Sequence, residues 1–80
     1  MIDTSQIRMA KAALRWSNGD LAKLTGLHKN TISRAEAGTA TRATIALIQQ
    51  TFEAEGVEFR AADDHICVCL RRHLRLDFNA

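Results

Sequence analysis

Up to Gly56, apolar residues recur along the chain at helical spacing; beyond it they alternate at strand spacing. Ile7, Ala10 and Leu14 form one face of a first helix, with Met9 and Ala13 on its flanks. The helix is predicted over about Gln6 to Leu14 and capped by Thr4 or Ser5. A second helix opens at Ser17, where Ser17 and Asp20 have the spacing of a capping box. Leu21 and Leu24 are its expected inward residues. Gly26 follows, able to take the left-handed conformation that a sharp turn requires, with Leu27 beneath the turn. A third helix is predicted from about Lys29 to Ala37, with Ile32 and Ala35 inward, and Gly38 ends it. The loop Thr39 to Thr41 leads to a fourth helix ending near Glu55. Its inner face is Ile45, Ile48 and Phe52, with Leu47 beside them, and Gly56 stops it.

After Gly56 the period becomes two. VEFRA is one strand candidate, with Val57 and Phe59 on one face. HICVCLR is a second, with Ile66, Val68 and Leu70 alternating against His65, Cys67, Cys69 and Arg71. Asp63 and Asp64 lie between them as turn residues. Both faces of the second strand are fairly apolar, which calls for cover on two sides. The helices of so small a chain cover only one, so the remaining face or edge is expected to meet another subunit. RRHLRLDFNA at the end fits neither period. No repeat, low-complexity segment or linker interrupts the chain. The organisation expected is mostly α: a four- to five-helix unit over residues 1–56, then a strand pair and tail over 57–80 that serves as a dimerisation segment.

Composition narrows the class. Eighty residues fit one domain, and 46% apolar content suits a globular chain. No apolar run could span a bilayer, and the N-terminus lacks the charged-then-apolar pattern of a secretion signal, so no membrane association and a cytoplasmic location are expected. The net charge is only +2, too little to identify a nucleic-acid binder without help from placement. Cys67 and Cys69 are too far apart along one strand for a mutual disulfide, and reduced thiols are the expectation in the cytoplasm. With His65 and His73 they make a soft-ligand set, yet alternate spacing does not converge on one ion, so packing is the preferred role and no metal is expected. No Ser/His/Asp or Cys/His arrangement, glycine-rich phosphate loop or converging carboxylate pair is visible. No enzymatic activity and no cofactor are therefore expected.

Two short helices joined at Gly26, the second with small polar and cationic residues on one face, have the layout of a helix-turn-helix whose second helix enters the DNA major groove. The first residues of such a helix point at base edges. Lys29 can donate to guanine O6 and N7, and Asn30 can pair bidentately with adenine. Ser33 lies one turn beyond Asn30, and Arg34 reaches a base or a phosphate. Phosphates are expected at helix N-termini: Ser17 and Asn18 on the second helix, Thr39, Thr41 and Arg42 at the fourth. Thr31 is a weaker candidate for a phosphate.

Leu14-Arg15-Trp16-Ser17, Asp20-Leu21-Ala22, Gly26-Leu27, Thr31-Ile32-Ser33-Arg34, Glu36-Ala37-Gly38 and Gly56-Val57-Glu58-Phe59 together resemble the lambda-repressor-like helix-turn-helix regulators. These are the Cro/C1-type, xenobiotic-response-element family, and the likeness is to its short phage and bacterial members over residues 6–59. The resemblance implies a sequence-specific transcriptional regulator, most often a repressor. It implies a homodimer on a palindromic double-stranded operator, joined through Val57, Phe59, Ile66, Val68 and Leu70. It also implies an ion pair between Lys11 and Glu36. Three positions depart from the family pattern. Arg15 stands where Gly is usual, which implies a positive φ at a cost of order 1 kcal/mol. Asn18 replaces a longer Gln that touches a phosphate. His28 replaces a capping Ser or Thr, and when protonated could reach a phosphate instead. Two alternatives fit the same residues: an antitoxin that binds its toxin through residues 57–80, which a toxin gene next to this one would favour, and a protein-interaction module without DNA binding.

Overall fold

Four helices and one antiparallel hairpin make up the computed structural model, which describes residues 1–71. The helices are α1 (Thr4–Leu14), α2 (Asn18–Thr25), α3 (Lys29–Ala37) and α4 (Arg42–Ala54); the strands are β1 (Val57–Ala61) and β2 (Ile66–Leu70). The expected tail conformation and His73 lie outside the described residues. No described helix is long and apolar enough to cross a membrane.

Each helix starts where a side chain satisfies free backbone amides. At α1 that residue is Asp3, not Thr4 or Ser5. Its carboxylate accepts from the Ser5 amide at 2.7 Å while Gln6 Oε1 accepts from the Asp3 amide at 2.9 Å. This reciprocal box needs Gln three residues after the cap, and only Asp3 has it there. Ser17 and Asp20 form the predicted box at α2, and Thr41 caps α4. Helix α2 ends at Gly26 with φ +77°, as the turn requires. Helix α1 ends at Arg15 with φ +58°, the one non-glycine residue with positive φ among those described. There the Trp16 amide closes on the Lys11 carbonyl at 2.9 Å.

The core joins all four helices and the hairpin: Ile7 and Ala10, Leu21, Ile32 and Ala35, Ile45, Ile48 and Phe52, and Val57. One expected inward residue is not in it: Leu24 is 54% exposed. A two-turn helix buries one row, and in α2 the row continues from Leu21 to Thr25, whose hydroxyl donates to the Leu21 carbonyl at 2.7 Å. Leu47, read as lying beside the inner face of α4, stands about 100° round the helix from Ile48 and is 36% exposed on the flank.

In the hairpin, Val57 faces Leu70, Phe59 faces Val68 and Ala61 faces Ile66. Phe59, Val68 and Leu70 pack onto the helical core, leaving Cys67 and Cys69 exposed on the other side. Val57 is 1% exposed, so the assignment of this residue to a dimer interface is corrected: it belongs to the core of its own chain, because β1 leaves Gly56 directly beneath α4. Gln6 is buried, and its Nε2 donates to the carbonyls of Arg60 and Cys67, both at 3.1 Å. With Oε1 on Asp3, every group of this amide has a partner.

Candidate nucleic-acid interface

Helix α3 presents two distinct sides. Lys29, Asn30, Ser33 and Arg34 are all exposed, whereas Ile32 and Ala35 are fully buried. At 3.6 residues per turn the four polar residues span an arc of roughly 140° opposite the buried pair. Thr31 is half-buried at the margin of that arc. The preceding helix crosses behind α3, and Gly26 sets the turn between them. One face of α3 is therefore locked into the core, and the other is free for a groove-sized partner.

His28 caps α3. Its Nδ1 accepts from the Asn30 amide at 3.1 Å. An accepting Nδ1 carries no proton, so in the neutral ring the proton sits on Nε2, which remains a donor. An imidazolium has no lone pair and cannot cap. The capping role thus belongs to the neutral form, which can still donate Nε2–H to an anion.

Lys29 lies back across the turn. A Cβ at Gly19 would stand 3.3 Å from Lys29 Cε and 3.5 Å from Ser17 Oγ. The lysine stem thus runs in a shallow groove lined by Ser17, Gly19, Asp20, Lys23 and Leu27. This puts its ammonium beside the amino end of α2, while Asn30 remains on the open face of α3.

A polar chain ties α1, α2 and α3 together. Lys11 Nζ is 2.9 Å from Glu36 Oε2, with the two side chains 16% and 17% exposed. The same ammonium donates to Asn18 Oδ1, and Asn18 Nδ2 donates to Ser33 Oγ at 3.4 Å. The Lys11–Glu36 pair implied by the resemblance is present. Sequence reasoning missed that Asn18 extends it. The shorter side chain at this position leaves the amide against Lys11 rather than out toward solvent. Ser33 receives a hydrogen bond and keeps its own hydroxyl proton for a further acceptor.

The proposed phosphate contacts separate by what their hydroxyls already do. Ser17 Oγ accepts from the Asp20 amide at 3.1 Å, and its proton serves the Asp20 carboxylate. Thr39 donates to the Arg34 carbonyl at 3.2 Å, and Thr41 donates to Thr44 Oγ1 at 3.0 Å. A phosphate offers only acceptors, so each threonine must break its bond to serve one. Arg42 is exposed at the start of α4.

The Ser17 amide, 2.8 Å from Asp20 Oδ2, and then the Ser17 hydroxyl hold the Asp20 carboxyl below its ordinary value of 3.8. Its contribution to stability is therefore complete above pH 3.8 and disappears as pH falls through the lower folded value. Thermal melts across the acid range should show this loss in the wild type and a shallower one in Asp20→Asn. Parallel acid limbs in the two proteins would contradict the box.

No family model, curated protein or solved structure matches this chain.

Proposed function

We propose that this protein is a sequence-specific DNA-binding transcriptional regulator of the lambda-repressor-like kind, acting in the cytoplasm as a homodimer. The observation that carries the reading is the two-sided α3: Ile32 and Ala35 buried beneath, Lys29, Asn30, Ser33 and Arg34 exposed above. A rigid helix with a free amide and hydroxyl in its first two turns matches what base edges in the major groove require. Asn30 reads a base. Ser33, already oriented by Asn18, donates to a neighbouring one. Lys29 grips a phosphate at the amino end of α2, joined by the Nε2–H of His28, and Arg42 holds another at α4. Dimerisation engages the β2 strand of the hairpin, Ile66, Val68 and Leu70, and sets the two α3 helices about one helical turn, roughly 34 Å, apart on a palindromic site.

The test is enrichment of bound fragments from genomic DNA, followed by anisotropy titration at several salt concentrations. Asn30→Ala should weaken operator binding by about 1–3 kcal/mol, roughly 5- to 150-fold, and relax preference at one base pair. Lys29→Ala should weaken operator and random DNA alike and lower the salt slope by about one. Weak binding that vanishes with salt and ignores both substitutions would overturn the reading.

A further inference from the structure

We propose that β2 pairs antiparallel with β2 of a second copy about a two-fold axis at Val68, and that Cys67 of each chain forms a disulfide with the partner's Cys69. The inference rests on the homodimer reading above and specifies its register and chemistry.

The hairpin is a two-stranded sheet, so β2 has a β1 side and an open side. The Arg71 amide bonds the Gly56 carbonyl and the Ala62 amide bonds the His65 carbonyl. With the alternation of an antiparallel ladder, His65, Cys67, Cys69 and Arg71 direct their backbone groups at β1. Ile66, Val68 and Leu70 direct theirs outward, to an edge that no further strand among the described residues pairs with. Exposed edges are ordinarily guarded by charge or proline. Strand β1 carries two charges, Glu58 and Arg60, paired at 2.9 Å; Glu58 also reaches Arg71, just past the end of β2, at 3.3 Å. Ile66-Cys67-Val68-Cys69-Leu70 carries neither charge nor proline, and Ile66 is 39% exposed.

The occupant follows from the order of residues. Read in either direction, this strand is aliphatic, cysteine, valine, cysteine, aliphatic. An antiparallel copy centred on Val68 sets Ile66 beside the partner's Leu70 and Cys67 beside the partner's Cys69. In that register the two valines form a hydrogen-bonded pair, since their backbone groups face the open edge. The flanking cysteine pairs are then non-hydrogen-bonded pairs, whose Cα atoms lie about 4.5 Å apart. That distance falls within the range of a cystine, and a one-strand Cys67–Cys69 bridge would have to span nearly 7 Å. Both thiols are exposed on the face turned away from the helices, so a bridge forms without disturbing the core.

With oxidised glutathione as oxidant the step balances. A Cys67 thiolate attacks the glutathione disulfide and expels one glutathione thiolate. The partner's Cys69 thiolate then attacks the mixed disulfide and expels the second. One disulfide is reduced and one is formed, and the two protons lost by the cysteines pass to the glutathione thiolates. In a thiol-reducing compartment the dimer stays reversible; oxidation makes it covalent.

The full chain is incubated with oxidised glutathione and run on a non-reducing gel, with light scattering of the reduced protein alongside. Wild type should give a covalent dimer. Cys67→Ser alone and Cys69→Ser alone should each give about tenfold less, because in either homodimer every cysteine faces a serine. Mixing the two variants should restore it, since the mixed dimer has one Cys69–Cys67 pair. Unchanged melting of both reduced variants verifies their fold. Cross-linking of either single variant at the wild-type level overturns the register, as does a wild-type dimer that does not cross-link. A reduced protein that is monomeric at high micromolar concentration overturns the homodimer reading itself, while the DNA titration stands apart from both.

Discussion

Phe52→Ala is expected to remove about a quarter or more of the folding stability and, at the low end of stability for a chain of this length, to unfold much of the population at room temperature. The ring is fully buried. It stacks on Trp16 with centroids 5.4 Å apart and meets Phe59 edge-on at 5.9 Å. Trp16 lies at the α1–α2 junction and Phe59 in β1, so one side chain clasps that junction to the hairpin. Truncating a buried phenylalanine costs about 3–5 kcal/mol, against a total near 4–12 kcal/mol for a chain of this length. At about 4–8 °C per kcal/mol the melting temperature should fall by at least roughly 12 °C. Circular dichroism melts measure it, and Trp16 fluorescence should shift to the red at the same time. A fall under about 5 °C would mean that the cluster contributes little.

The second large effect concerns Lys11 and Glu36. Glu36→Leu leaves a mostly buried ammonium with only Asn18 Oδ1 as acceptor, and Lys11→Met leaves the carboxylate uncompensated. Full burial would put the cost near 3–5 kcal/mol. Each side chain keeps about a sixth of its surface exposed, so screening lowers the expectation to about 2–3 kcal/mol. The double variant should recover most of the loss, because two apolar side chains meet there with no charge left unpaired. Denaturant midpoints of the four proteins give the coupling directly. Neutral single changes would mean that water already serves both charges. Under the DNA-binding function proposed above, Lys11→Met has a second readout, since it frees Asn18 and with it Ser33: preference at the base that Ser33 is proposed to face should broaden even where affinity holds.

The residues that stop and turn the chain were readable from sequence because their demand is local. Gly26 and Gly38 end α2 and α3 as read, and the Ser17–Asp20 box needs only two residues at the right spacing. The positive φ of Arg15 was not legible in its own identity; the family resemblance implied it. The choice of Asp3 over Thr4 or Ser5 turned on Gln6, a residue whose value is mostly tertiary. Leu24 is exposed against expectation because hydrophobicity says which residues can be buried, while the width of the neighbouring element says how many are. The exposed face of α3 was visible in the sequence. The path of Lys29 over Gly19 and the link from Lys11 through Asn18 to Ser33 were not. Both depend on how closely two helices approach, which spacing along a single chain does not encode.

Gln6 has a consequence beyond filling its own hydrogen bonds. The two carbonyls it grips, on Arg60 and Cys67, belong to residues that face each other across the ladder. They stand side by side only when the strands are in this alignment. A slip of one residue would part them and also turn every side chain of the slipped strand to the opposite face. A short hairpin without a wide sheet behind it has little else to prevent this. The first helix thus acts as a gauge laid across the strands: a misaligned hairpin cannot dock against it, and a docked one has its apolar side in and its thiols out.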